Sequence, residues 1–137
     1  MSYLLDANVL SELTRTEPNA EVLQWFTGKV ANHLWVSVIT LGEIERGILL
    51  LPDGRRKQNL VSWFERLRER FAGQILEIQA PTMRIWAQLY SSPEFKVGVR
   101  GGLDSLIAAT AIQHDLTLAT RNVKDFPSSV PVVNPWR

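Results

Sequence analysis

No cysteine occurs among the 137 residues, which excludes disulfides, thiolate zinc sites and a cysteine nucleophile. Histidine is scarce as well. His33 and His114 are the two present, and neither belongs to a spaced pair such as a helical His-x-x-x-His, so both are expected on the surface or at helix ends. Any bound metal must then use oxygen or imidazole, and with neither histidine in a ligating pair the expected ion is hard, magnesium or manganese. Long apolar runs are missing: none approaches the roughly 18 to 20 residues that cross a bilayer. The start, Met1-Ser2-Tyr3-Leu4-Leu5-Asp6, has no basic region ahead of its apolar stretch. A cytoplasmic protein without a membrane partner is expected. Charge of one sign is also lacking, with a net +1, so the surface as a whole does not attract polyanions. Arg55-Arg56-Lys57 and the series Arg66, Arg68, Arg70 gather positive charge locally; a solvated helix face is the simpler reading, and they do not by themselves establish RNA binding.

Internal repeats, low-complexity tracts and Ser/Gly linkers are absent too, and the length suits one compact domain over residues 1–137. What is present is an alternation of short apolar segments with amphipathic ones. Residues 3 to 5 form a strand candidate, followed by Val9, Leu10 and Leu13 at helical spacing between Asn8 and Thr14. After Pro18, the residues Val22, Leu23, Trp25 and Phe26 suggest a second short helix. Trp35 to Val38 reads as a strand, and Thr40 with Glu43 has capping-box spacing for a helix running to about Leu51. Pro52-Asp53-Gly54 breaks the chain. Leu60, Trp63, Phe64, Leu67 and Phe71 then recur as one face of an amphipathic helix, expected to be core or subunit contact rather than a base-stacking platform. Ile75 to Ile78 is a third strand, and Pro81 opens a helix to about Tyr90. Residues 92–102, with Pro93, Gly98, Gly101 and Gly102, read as a mobile loop before a helix headed by Asp104. Leu116 to Ala119 and Val130 to Val133 supply two more strands. The pattern implies a three-layer α/β domain with a mostly parallel central sheet flanked by helices.

Acidic residues stand where these segments meet. Asp6 follows the first strand, Glu43 follows the second, Asp104 heads a helix, and Asn122 and Asp125 follow the strand ending at Ala119. Each has an ordinary explanation. Asp6 suits a helix N-cap, Glu43 the third position of a capping box, Asp104 the positive end of a helix dipole, and Asn122 with Asp125 a turn. Together they suggest more, because ligands collect beyond the carboxyl ends of strands in an open parallel sheet. Carboxylates gathered there raise one another's pKa, a conflict that a divalent ion removes. Such an ion activates water and neutralises charge on a phosphodiester.

At these residues the chain resembles the PIN-domain ribonucleases, and among them the VapC-type toxins of bacterial toxin-antitoxin pairs, including the FitB-like branch. The likeness covers nearly the whole length. It is carried by Leu4-Leu5-Asp6-Ala7-Asn8-Val9-Leu10, by Ser37 to Glu43 with Gly47, by Asp104 with Ile107-Ala108-Ala109-Thr110-Ala111, by Ala119-Thr120-Arg121-Asn122 with Asp125-Phe126, and by Asn134-Pro135-Trp136. The resemblance implies metal-site carboxylates at Asp6, Glu43 and Asp104. The fourth position falls to Asn122 or Asp125, since some relatives carry an acid where this chain has Asn122. Ala7 departs from the frequent Asp-Thr-Asn opening and lacks its hydroxyl. Asn8 and Thr120, and more weakly Ser11, are implied as groups orienting ligands or water. Arg46 pairs with Glu43 or touches phosphate, and Arg121 meets the RNA backbone or simply solvent.

The activity so implied is a magnesium- or manganese-dependent endoribonuclease acting by in-line water attack on structured RNA such as transfer RNA. A VapB-like antitoxin would inhibit it, with the antitoxin's tail in the groove near the acids, and the toxin would form a homodimer within a larger complex. Two rivals remain: a degenerate PIN domain that binds RNA or protein without cutting, kept open by Asn122, and an α/β phosphoacceptor signalling domain. The second predicts paired acids after the first strand, where Ala7 and Asn8 stand instead.

Overall fold

A computed structural model of the chain describes residues 1–91 and 102–137. Five strands, β1 (Tyr3–Leu5), β2 (Leu34–Ser37), β3 (Ile75–Leu76), β4 (Thr117–Ala119) and β5 (Val132–Val133), form one sheet in the order β3-β2-β1-β4-β5. Every pairing is parallel. Among the described residues six α-helices connect them: α1 (Ala7–Glu12), α2 (Ala20–Thr27), α3 (Val38–Leu49), α4 (Arg55–Arg70), α5 (Ala80–Leu89) and α6 (Gly102–Gln113). The three-layer architecture expected from the sequence is the one observed.

The central strand shows why the layers form. Successive side chains of a strand point to opposite faces, and Leu4 and Leu5, both fully buried, enter different cores. Leu5 packs among Val9, Leu10, Val22, Ile44 and Phe64, beneath α1 to α4. Leu4 packs with Ile107, Ala108, Ala111 and Leu118, beneath α6. The alanines of α6 are wholly buried, and their small side chains bring this helix close to the sheet.

Most expected elements are found within a few residues of their predicted ends, but the start of α3 is not where the capping-box spacing put it. The strand ends at Ser37, whose Oγ accepts the Ile39 N–H at 3.0 Å as the N-cap. Val38 is therefore the first helical residue. Thr40 is interior and fully buried, its hydroxyl directed at the Leu5 carbonyl at 3.5 Å, and Glu43 lies in the second turn. Burial of the apolar strand up to Ser37 fixed this boundary, and Ser37 offered a cap three residues earlier than Thr40. The strands at Ile75–Leu76 and Val132–Val133 are shorter than expected. The glycine-rich segment read as a loop falls, apart from Gly102, outside the described residues.

Candidate metal centre

The strand order reverses around β1: the chain passes from β1 to β2 on one side and later returns to β4 on the other. That switch point leaves a crevice at the carboxyl ends of β1 and β4. Asp6 leaves β1 there, with its N–H donating to the Ala119 carbonyl at 3.0 Å. Thr120 leaves β4 beside it, donating its N–H to the Val133 carbonyl at 3.0 Å.

Asp6 is 5% exposed and serves two purposes. Its Oδ1 accepts the Ala7 N–H at 2.8 Å and caps α1. Its Oδ2 accepts the hydroxyl proton of the fully buried Thr120 at 2.7 Å. That hydroxyl in turn accepts Asn8 Nδ2 at 3.3 Å and the Asn122 N–H at 3.0 Å. One donor and two acceptor positions of a hydroxyl are thereby all used. Asn8 completes the ring by accepting the Arg121 N–H at 3.3 Å through Oδ1. The loop after β4 is tied to the loop after β1 by side chains 112 to 114 residues apart in sequence.

The acids face one another electrically. Burial pushes the Glu43 carboxyl up to about 7, and the charges of Asp6 and Asp104 add to the shift. Burial likewise raises Asp104, helped by the charges of Asp6 and Asp125. Asp6 is raised by burial and by Asp125, against the opposing effect of its bonds from Thr120 and Ala7. Glu43 Oε1 is enclosed and meets no hydrogen-bond donor among the described residues. A buried carboxylate oxygen without a partner is costly, and a hard cation is the ligand that would satisfy it while relieving the mutual repulsion. The oxygen donors fit magnesium or manganese. Among the described residues, no three Asp, Glu or His side chains are gathered into a single ligating cluster, so the acids couple through charge across a shared space.

The remaining expected positions divide. Asp125 is exposed at the end of a 3-10 turn, yet its charge reaches Asp6 and Asp104. Asn122 begins that turn, and its side chain makes no capping bond. Arg46 borders a surface hollow together with Glu43 but forms no ion pair with it. Arg121 rests its guanidinium 5.1 Å from the centre of the Trp136 ring. His33 is exposed at the end of a 3-10 turn, and His114 follows α6. Asp104 occupies the first turn of α6. Ser105 beside it, fully buried, accepts Trp86 Nε1–H at 2.8 Å and donates to the Gly102 carbonyl at 2.6 Å. That bond pins the head of α6 to α5. Sequence reasoning did not find it, because Trp86 has the helical spacing of an ordinary core residue.

Next to Glu43 a cavity of about 480 Å³ opens toward Trp63, Trp136, Arg56 and Arg121, with Gly47 in its wall. No helix among the described residues is long and apolar enough to cross a membrane.

Comparison with known proteins accords with this architecture. The family model described as PIN domain matches residues 3–128. Toxin FitB of Neisseria gonorrhoeae is 39% identical over 138 residues, covering 97% of both chains. VapC ribonuclease Y4jK of Sinorhizobium fredii is 33% identical over 135 residues, covering 97% of this chain and 96% of the relative. The solved structure of FitAB bound to an IR36 DNA fragment superposes with a TM-score of 0.88 at 37% identity, covering 98% of this chain and 96% of that one.

Proposed function

The chain belongs to the PIN-domain family, and from that membership we propose that it is a toxin endoribonuclease, hydrolysing RNA phosphodiesters by attack of a metal-activated water and held inactive by a cognate VapB-like antitoxin. The observation that carries this reading is the set of Asp6, Glu43 and Asp104, all raised in pKa by burial and by the charge of neighbouring acids, Asp125 among them, around the unpartnered Glu43 Oε1. Relatives named as a VapC ribonuclease and as a toxin support the activity, and a relative assembled as FitAB on DNA supports a partner protein.

Asp6, Glu43 and Asp104 would hold a magnesium or manganese ion, which when bound supplies an activated water and neutralises charge on the phosphate. Magnesium takes one or two carboxylates directly and keeps several waters, which suits acids that share a space without forming one tight cluster. Thr120 fixes the orientation of the Asp6 carboxylate, and Asn8 fixes Thr120. Asp125 adds negative charge toward Asp6 and Asp104, the contribution a fourth acid makes; Asn122 presents an amide at the same loop. Arg46 and Arg121 would supply the phosphate contacts. A cytoplasmic location, a structured RNA target such as transfer RNA, and a homodimer within the antitoxin complex belong to the same reading.

The test is cleavage of cellular RNA after brief expression, with ends mapped, for wild type beside Asp6→Asn. Wild type is expected to leave 5′-phosphate ends, and the variant to cut more than about 100-fold slower, beyond the cost of losing an outer-shell partner. Equal cutting by the two under matched magnesium would reject the assignment. Intact RNA with both would favour a PIN domain that binds without cleaving.

A further inference from the structure

The cavity beside Glu43 is not accounted for by the acids. Its volume of about 480 Å³ lies within the range of small-molecule sites. Two tryptophans, Trp63 and Trp136, and the aliphatic Ile48 face it, while Arg15, Arg56 and Arg121 also border it. The acids of its lining do not cancel that charge evenly. Glu12 is 7% exposed and already engaged, accepting the Asn19 N–H at 2.9 Å and pairing with Arg15 at 3.5 Å. Arg56 forms no ion pair among the described residues, and Arg121 has an aromatic ring rather than a carboxylate beneath it. Gly47 leaves the wall open: a Cβ built there meets nothing within 4 Å.

We propose that this cavity is a nucleobase subsite, in which one unpaired base of single-stranded RNA enters against Trp136 and its Arg121 guanidinium while Arg56 and Arg121 meet the flanking phosphates. The inference deepens the ribonuclease reading and rests on it. Its chemistry is that of single-strand recognition, in which bases stack on aromatic rings or guanidinium planes beside a positively charged track. Glu43 forms part of the same wall, so a strand seated in the cavity continues toward the acids. A base within a duplex stays stacked inside the helix; the subsite therefore selects loops, bulges and ends.

The test is equilibrium binding in chelator, which prevents cleavage, of fluorescein-labelled penta-adenylate and of an abasic ribose-phosphate chain of equal length. Wild type is expected to bind penta-adenylate at least about tenfold more tightly, from stacking of a single base. Trp136→Leu removes the ring but keeps apolar bulk. Gly47→Phe fills the cavity from an open position and leaves both tryptophans in place. Each is expected to reduce the preference for penta-adenylate about fivefold or more, with abasic binding within about twofold of wild type. Equal binding of the two probes by wild type, or an undiminished preference in Gly47→Phe, would overturn the subsite. So would a Gly47→Phe protein that keeps its preference and instead loses a bound protein partner, since the cavity would then hold peptide. Binding is read without cleavage, so these failures leave the nuclease reading standing; intact RNA with wild type in magnesium would fail that reading instead.

Discussion

Asp6 caps a helix and belongs to the acid group with the same carboxylate. One oxygen holds the Ala7 N–H and the other the Thr120 hydroxyl, so capping α1 leaves the carboxylate's second oxygen facing the crevice and does not exclude the proposed metal role. The sequence showed either use separately. It did not show the Thr120 bond, because that contact depends on pairing β1 with β4 across more than a hundred residues. Thr120→Val keeps the shape and removes the hydroxyl bonded to Asp6 Oδ2. The bond lowers the Asp6 pKa, so its loss pushes that carboxyl further up, and the acid limb of a cleavage-rate profile is expected to move to higher pH. Metal affinity should fall about 10–100-fold, as for other partners that orient a ligand. An unchanged pH profile would show that Thr120 does not set the state of Asp6. Glu43 shows a different limit of legibility: the capping-box role given to it fails, since Ser37 caps α3.

At the scale of elements, Glu43 and Asp104 ride on two helices whose starts are each secured by a serine. Ser37 begins α3, which brings Glu43 to the crevice on its second turn. Ser37→Ala is expected to lower stability by about 1 kcal/mol, measured by urea unfolding. Ser105 secures the start of α6 by bridging Trp86 and the Gly102 carbonyl. Ser105→Ala leaves the Trp86 N–H without its partner and frees the turn bearing Asp104. A stability loss of about 1 kcal/mol and weaker manganese binding are both expected; full manganese affinity would show that the bridge serves folding alone. Helix spacing revealed α4, and Pro81 as a first-turn residue revealed α5. The strand at Ile75–Leu76 was faint because two residues give no alternation. It exists through pairing with Val36 and Ser37.

For the whole molecule, the acid group sets stability against function. Glu43 releases its proton near pH 7 in the folded chain, against an ordinary value of 4.5. Folding therefore takes up protons across that window. The stabilisation is complete below about 4.5 and lost as pH rises through 7, and Asp6 and Asp104 shift in the same direction. A bound divalent ion favours the ionised acids and offsets this loss. The rise in Tm on replacing chelator with magnesium is thus expected to be larger at pH 8 than at pH 6, and to shrink at both in Asp6→Asn. An equal rise at both pH values would separate the ion from the acids.

The contact between Arg121 and Trp136 has a practical consequence for anyone handling the protein. Met1 lies at the amino end of β1, the central strand, and Trp136 follows the carboxyl end of β5 beside the cavity, toward the opposite end of the parallel strands. An affinity tag or fluorescent reporter fused after Arg137 would emerge next to the cavity and compete with whatever enters it. The same fusion before Met1 would leave the cavity clear.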